Sequence, residues 1–192
     1  MQNKPRTSNW IIETGKMQFI TAVLDANVLY PLSLRDYLLN LAVEGLYDPI
    51  WTPEIHDEWI RNLLKNRPDL KRKQLEATRK AMDKAFPGAN VTNVQSIANR
   101  LALPDPDDRH VLAAAIKAGA EVIVTANLRD FPEVMLAQHN IRAEHPDSFI
   151  LSCIERDHQK SVRAFEEQVA VLRNPTMTVD EVLKSMEKNR IN

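Results

Sequence analysis

The chain is poor in cysteine, glycine and long apolar runs. Of its 192 residues, one is a cysteine, Cys153, and four are glycines. A single cysteine cannot form an internal disulfide, which is typical of a reducing compartment, so we expect a cytoplasmic protein. The scarcity of glycine leaves no Gly-rich phosphate loop, which excludes a P-loop or Rossmann nucleotide site. No stretch approaches the about 18–20 apolar residues of a membrane-spanning helix, so we expect no membrane association.

An excess of charge of either sign is also lacking. Lys and Arg number 25 and Asp and Glu number 26, for a formal net charge of −1. This balance excludes a uniformly basic surface for nucleic acid, although it permits a local basic patch beside an acidic one. The five histidines have no ligand spacing with the cysteine, which argues against a zinc site.

The chain divides into three parts by composition and pattern. Residues 1–16 are polar apart from one short apolar cluster, and we interpret them as a disordered leader, with Met17 as an alternative start. Residues 17–149 alternate strand and helix patterns. From Pro146 onward the pattern is helical only, and we assign residues 150–192 to a C-terminal helical extension. A capping-box pattern at Thr178 predicts the start of a last helix.

The alternating part predicts an α/β fold with a parallel sheet covered by helices. Short apolar or β-branched runs predict strands at 19–24, 48–51, 121–124 and 141–144, with a weaker candidate at 89–94. Helical spacing predicts helices at 32–46, at 53–66 with Thr52 as N-cap, from Pro68 to 85, from the 103–108 loop to Gly119, and at 134–139.

Acidic and amide side chains follow the predicted strands. Asp25 and Asn27 come directly after the first strand, and Thr125, Asn127 and Asp130 follow Val124. Ligands of open α/β sheets bind beyond the carboxyl ends of the strands, so these groups are expected to converge. Clustered carboxylates repel one another unless a cation neutralises them, and oxygen ligands suit Mg²⁺ or Mn²⁺. Two further acidic groups are expected at the same edge: Asp105, Asp107 and Asp108, and Glu54, Asp57 and Glu58.

Each of these acids also has a purely structural interpretation. Asp25 can satisfy N–H groups of a turn, and Asp105 fits an N-cap ahead of Pro106. Asp108 would then occupy the third helical position, where a carboxylate favours the helix dipole. Glu58 can be a solvated helix acid, and Asp130 a helix cap. The functional interpretation depends on the set and not on one member.

Positive charge is concentrated in one segment. Residues 61–84 contain nine Lys or Arg against three acids, a local charge of +6. The segment follows the helix that carries Glu58, and both a contact with a phosphate backbone and an ordinary solvated helical surface are open interpretations. Arg109 and Arg129 are nearer in sequence to the acids.

Four segments carry a family resemblance: VLDANVL at 23–29, EIHDEW at 54–59, DPDDRHVLAAA at 105–115 and VIVTANLRDF at 122–131. Together they resemble PIN-domain ribonucleases, and in particular the VapC-like toxins of bacterial type II toxin–antitoxin pairs. The resemblance covers about residues 19–149, and the helical tail resembles the C-terminal extension of one branch of these toxins. It implies a PIN-like three-layer α/β/α fold with a central parallel sheet.

The resemblance also implies a site. Its four acids correspond to Asp25, Glu58, Asp108 and Asp130, with Asp25 and Asp108 as the preferred direct metal ligands. Supporting roles fall to Asn27, Thr125 and Asn127. Glu54 can replace Glu58 as a ligand or orient it, and Asp105 and Asp107 compete with Asp108. Arg61, Lys65, Arg109 and Arg129 are the expected RNA-binding residues.

The implied activity is Mg²⁺- or Mn²⁺-dependent hydrolysis of RNA phosphodiester bonds by a toxin that inhibits translation or growth. The implied partners are RNA and a small antitoxin, and dimerisation is common in the family. An aspartate phosphatase or receiver module would need paired acids after the first strand, and the second position is Asn27. A catalytically silent PIN-like binding module is the remaining alternative, and the intact set of four acids argues against it.

Overall fold

The computed structural model describes residues 20–171 together with Glu181 and Lys184. Its centre is a four-stranded sheet in the order β2–β1–β3–β4, in which every pairing is parallel. The strands are β1 (Thr21–Leu24), β2 (Asp48–Ile50), β3 (Val122–Val124) and β4 (Arg142–Glu144). The predicted leader and the capping box at Thr178 lie outside the described residues.

Helices connect and cover the strands. They are α1 (Ala26–Leu29), α2 (Leu32–Val43), α3 (Pro53–Asn66), α4 (Arg72–Ala85), α5 (Gln95–Ala98), α6 (Arg109–Ala118), α7 (Glu133–Leu136), α8 (Pro146–Arg156) and α9 (His158–Val171). Short 3₁₀ turns span Pro106–Asp108, Leu128–Asp130 and Ala137–His139.

The sheet lies between two helical layers. The connection from β1 to β2 runs to one side of β1, and the connection from β2 to β3 crosses back over it. Right-handed crossovers of opposite direction put α2 and α6 on opposite faces of the sheet. β1 and β3 are therefore covered on both faces, and Val23, Leu24 and Ile123 are fully buried. The predicted three-layer α/β/α architecture is confirmed.

Capping residues fix where α3 begins and where the helix before β3 ends. The Thr52 side chain accepts a hydrogen bond from the Ile55 N–H at 3.2 Å, and Pro53 is the first helical residue, as predicted. Gly119 ends α6 with a φ of +65°, a left-handed conformation that a glycine adopts without strain. The chain then turns directly into β3.

A buried arginine holds α3 against α2. The Arg35 guanidinium lies 5.0 Å from the centre of the Trp59 ring and donates a 3.0 Å hydrogen bond to the Leu29 carbonyl. Trp59 is fully buried and donates through Nε1 to His56 Nδ1 at 3.0 Å. These contacts fix the rotation of α3 and therefore the direction in which Glu58 points.

Two elements differ from the sequence predictions. The helix expected from Pro68 begins at Arg72, because the chain makes a turn at 67–70 in which the Leu70 N–H donates to the Arg67 carbonyl. The candidate strand at 89–94 is a single parallel bridge between Asn90 and Trp51. The extended segment around this bridge ends before Asn93, whose φ of 57° is incompatible with an extended strand.

The C-terminal helices pack on the α/β core. Tyr37 of α2 and Phe165 of α9 stack edge to face with ring centres 5.8 Å apart. At one end of this contact the Gln168 side chain donates to the Ser33 carbonyl at 2.8 Å, and at the other Arg163 pairs with Glu44 at 2.9 Å. Helix α9 therefore covers the outer face of α2. Among the described residues, no helix is long and apolar enough to cross a membrane.

Candidate metal centre and active site

Asp25 lies at the point where β1 gives way to α1. Its carboxylate accepts the Ala26 N–H at 2.6 Å through Oδ1, so it does satisfy a turn N–H, and it is 3% exposed. The second oxygen, Oδ2, accepts from the Thr125 hydroxyl at 2.7 Å and from Asn27 Nδ2 at 2.6 Å. Both oxygens are therefore held by the protein, and the acid has one well-defined orientation.

Asn27 and Thr125 join the ends of β1 and β3. Asn27 Nδ2 also donates to Thr125 Oγ1 at 2.9 Å, and Asn27 Oδ1 accepts from the Ala126 N–H at 3.0 Å. The Asn127 N–H donates to the same threonine oxygen at 3.1 Å. Because the hydroxyl hydrogen of Thr125 goes to Asp25, its oxygen is left to accept these bonds. The sequence predicted that these residues converge, and in the structure they form one hydrogen-bonded network.

Three further acids meet beside this network. Asp105, Asp108 and Asp130 each present a carboxylate oxygen, and these oxygens lie within 4.8 Å of one another. The first two flank a 3₁₀ turn, and Asp130 ends another, where Asn127 Nδ2 donates to its Oδ2. Asp105 also accepts the Asp107 N–H at 2.9 Å, as its predicted cap role requires. It therefore serves as a cap and belongs to the carboxylate cluster.

The charges of these acids act on one another. Burial, together with the negative charges of Asp25, Asp105, Asp130 and Glu58, raises the pKa of Asp108 to about 7. Burial is also the largest cause that raises the pKa of Asp25; the hydrogen bond from Thr125 opposes it and the charge of Glu58 adds to it, for a pKa of about 6. The acids thus form one electrostatic unit that resists full ionisation without a cation.

Glu58 reaches the site from α3, and its neighbour there is His110 of α6. His110 Nε2 lies 3.7 Å from Glu58 Oε2, and the histidine also lowers the pKa of Asp25. Its other nitrogen, Nδ1, is buried without a hydrogen-bond partner among the described residues. The spacing of the histidines in the sequence argued only against a zinc site and did not predict this contact of His110. The feature of the sequence that could have indicated this role is the position of His110 in the first turn of α6, two residues after Asp108.

The other residues that the sequence predicted for the site lie outside the carboxylate cluster. Glu54, Arg61 and Lys65 are exposed and share one face of α3 with Glu58, at helical spacing, with no contact to the carboxylate cluster in the described part of the chain. Arg129 is exposed on the turn that carries Asp130. Arg109 is the first residue of α6 and half-buried, and its Nε has no partner among residues 20–171.

The donor set suits a hard divalent cation. The clustered ligand atoms are carboxylate oxygens, at a spacing at which one ion can bind three of them. After burial, the charges of the neighbouring carboxylates are the next cause of the raised pKa of Asp108, and a cation among these acids would relieve the same repulsion. The residues present therefore fit Mg²⁺ or Mn²⁺ better than a soft metal that needs sulfur.

Comparisons with known proteins identify the fold family. The family described as "PIN domain" matches residues 21–129, and the family described as "VapC50 C-terminal domain" matches residues 146–191. A curated relative from Mycobacterium tuberculosis, named "Putative ribonuclease VapC50", is 54% identical over 48 residues, which are 25% of this chain and 28% of the relative. The match thus spans little more than a quarter of that relative. No solved structure matches the chain significantly. Because the first match covers more than half of the chain, including both strands that hold the acidic site, the protein belongs to the PIN-domain family.

Proposed function

We propose that the protein is a metal-dependent endoribonuclease that acts as the toxin of a toxin–antitoxin pair. The observation that carries the proposal is the cluster of Asp105, Asp108 and Asp130 at the carboxyl edge of a PIN-family sheet, where the charges of Asp25 and Glu58 act on Asp108. The similarity of one segment to a protein named a ribonuclease of the VapC group supports the same reaction.

The metal proposed is Mg²⁺ or Mn²⁺. Asp108 and Asp130 would hold it, with Asp105 as a third ligand and with Asp25 and Glu58 binding directly or through water. When bound, such an ion polarises the scissile phosphate and lowers the pKa of the attacking water. The sequence favoured Asp105 as a helix cap, and we propose it also as a metal ligand because its carboxylate oxygen belongs to the cluster.

The remaining residues of the site would orient the ligands and the substrate. Asn27 and Thr125 keep the Asp25 carboxylate in one orientation, and His110 lies against Glu58, where it positions that side chain. Arg109 and Arg129 lie next in sequence to Asp108 and Asp130, where they would contact phosphates near the cleaved bond. Arg61 and Lys65 would contact RNA along the face of α3 that carries Glu58.

The partners and the domain limits follow from the family. We propose residues 17–149 as the nuclease domain and 150–192 as a C-terminal extension, which agrees with a separate family match that begins at 146. The protein partner would be a small antitoxin that covers the acidic site in the cytoplasm, where the single, buried Cys153 stays reduced. A homodimer stays a prediction from the family.

The decisive experiment is cleavage of a panel of RNAs by the purified protein with EDTA, Mg²⁺ or Mn²⁺. We expect cleavage only with a divalent ion, and none by Asp25→Ala or Asp108→Ala proteins whose circular dichroism is unchanged. If the wild-type protein cuts no RNA of a broad panel with either ion, the silent binding module is the better interpretation.

A further inference from the structure

The positive charges of the α3–α4 hairpin fall into two groups. The arginines of the first group form ion pairs with acids of the hairpin itself. Arg79 pairs with Asp57 at 3.0 Å, Arg67 with Asp69 at 2.7 Å and Arg72 with Glu76 at 3.4 Å. These pairs neutralise three acids of the hairpin, Asp57, Asp69 and Glu76, whereas Glu54 is exposed and has no ion pair among the described residues. The one other acid of residues 61–84, Asp83, accepts from Trp51 Nε1 at 2.9 Å and lies on the inner side of α4.

The cations of the second group have no acidic partner in the described part of the chain. Three of them, Lys73, Lys80 and Lys84, follow one another at intervals of seven and four residues and are all exposed. At 3.6 residues per turn these positions share one face of α4. They lie about 170° around the helix from Leu75 and Met82, the buried residues of α4, so the lysine stripe (Lys73, Lys80 and Lys84) lies on its outermost face.

The stripe runs alongside the helix that carries Glu58. Because Asp57 pairs with Arg79 and Trp51 bonds to Asp83, α3 and α4 are antiparallel. Lys80 and Lys84 are therefore level with the first half of α3, where Glu58 lies. From Lys73 to Lys84 the stripe is about 16 Å long, which is enough to contact several consecutive phosphates of one RNA strand.

We propose that the lysine stripe binds the phosphate backbone of the RNA substrate away from the cleavage site. The inference rests on the proposed function, since it concerns the same RNA. Charge complementarity carries it, because the three lysines share one exposed face of α4. The two acids between them in sequence are already engaged, Glu76 with Arg72 and Asp83 with Trp51. The lysines therefore form a linear cation that a flexible polyanion can follow. Lysines make point-charge contacts, so the stripe adds affinity for long RNA and reads no base sequence.

The test compares the binding of a short and a long RNA. The protein carries Asp108→Asn throughout, so that RNA is not cut, and the probes are fluorescent single-stranded RNAs of about 6 and about 40 nucleotides in EDTA. The stripe variant is Lys73→Gln/Lys80→Gln/Lys84→Gln. The charge-preserving control is Lys73→Arg/Lys80→Arg/Lys84→Arg, and Arg100→Gln removes an exposed cation elsewhere.

We expect the Gln variant to lose about tenfold or more in affinity for the long RNA and to reduce the slope of log Kd against log salt by about two to three. The advantage of long RNA over short RNA should largely disappear, while both controls keep it. An unchanged salt slope in a folded Gln variant would overturn the proposal. An acidic peptide that binds the stripe as tightly as the long RNA would also overturn it, in favour of a protein partner. Cleavage by the wild-type protein is measured separately, so failure of the stripe and failure of the nuclease proposal are distinguishable.

Discussion

The Thr125 hydroxyl donates a 2.7 Å hydrogen bond to Asp25 Oδ2 and thereby joins the ends of β3 and β1. The two residues are 100 positions apart in the chain. The bond lowers the pKa of Asp25 and so opposes burial, which is the largest cause of the net rise of this pKa to about 6. One hydroxyl therefore orients the central acid of the proposed site and favours its ionised form.

Thr125→Val removes this bond and keeps the shape of the side chain. We expect kcat/KM to fall by about 10–100-fold, as for other residues that orient a metal ligand. The pKa of Asp25 should rise further, so the optimum of the pH–rate profile should move to higher pH. Thr125→Ser keeps the hydroxyl and should keep most of the activity. Equal losses in both variants would assign the threonine to packing instead.

Asp108→Asn and Asp107→Asn form a matched pair of neighbouring changes. Asp108 belongs to the carboxylate cluster, whereas Asp107 is exposed and outside it. We expect Asp108→Asn to abolish RNA cleavage and, in EDTA at pH 8, to raise the melting temperature, because it removes a carboxylate that its neighbours repel. Asp107→Asn should leave both quantities near wild type. A loss of activity with Asp107→Asn alone would move the third acid of the site to that position.

Asp105→Asn separates the two roles of this residue. The amide oxygen can still accept the Asp107 N–H, so the turn and the melting temperature should be preserved. The charge is lost, so we expect Mn²⁺ to bind about 10-fold more weakly or worse, as measured by isothermal titration calorimetry. If Mn²⁺ affinity is unchanged, Asp105 is a cap and not a ligand.

The stability of the metal-free protein should depend on pH through the acidic site. Asp25 and Asp108 have folded-state pKa values of about 6 and about 7 against 3.8 when unfolded, so the folded state binds more protons over this range. The free energy of unfolding therefore falls as pH rises from about 4 to about 7, by on the order of 3 kcal/mol for Asp25 alone.

His56 has the opposite effect, since burial lowers its pKa to about 4 and the folded state binds fewer protons than the unfolded one up to about pH 6.5. The measurement is therefore a difference in urea unfolding between wild type and Asp25→Asn/Asp108→Asn, in EDTA, from pH 5 to 8. The variant should gain stability over wild type as pH rises, and Mg²⁺ should narrow the gap. A difference that stays constant with pH would contradict the raised pKa values.

Phe165→Ala tests whether α9 is part of the folded core. The ring packs edge to face on Tyr37 of α2, and its loss should lower the free energy of unfolding by about 2–4 kcal/mol in one cooperative transition. Val162→Ala, on an exposed position of the same helix, is the control and should cost little. Two separate unfolding transitions in wild type would show that the C-terminal helices fold independently.

The acids of the site could be predicted because each is adjacent in sequence to a strong local signal. Asp25 ends a buried strand, Glu58 follows a Thr-Pro helix start, and Asp108 precedes an alanine-rich helix. The strand predicted at 89–94 is wrong because only Asn90 pairs with Trp51. Whether a segment forms a strand depends on how far the neighbouring segment pairs with it, and the local sequence pattern carries no information about that.

By itself the sequence determined the parallel α/β order, the boundaries of most elements and the list of acids, because apolar period, caps and turns are local properties. Only the tertiary structure decided which side chains meet. It brought Asp105 and Asp108 together with Asp130, put His110 against Glu58, and paired Arg79 of α4 with Asp57 of α3 while leaving a row of lysines exposed. These relationships join residues that are distant in the chain, and they exist only once the sheet and its crossovers have brought the elements together.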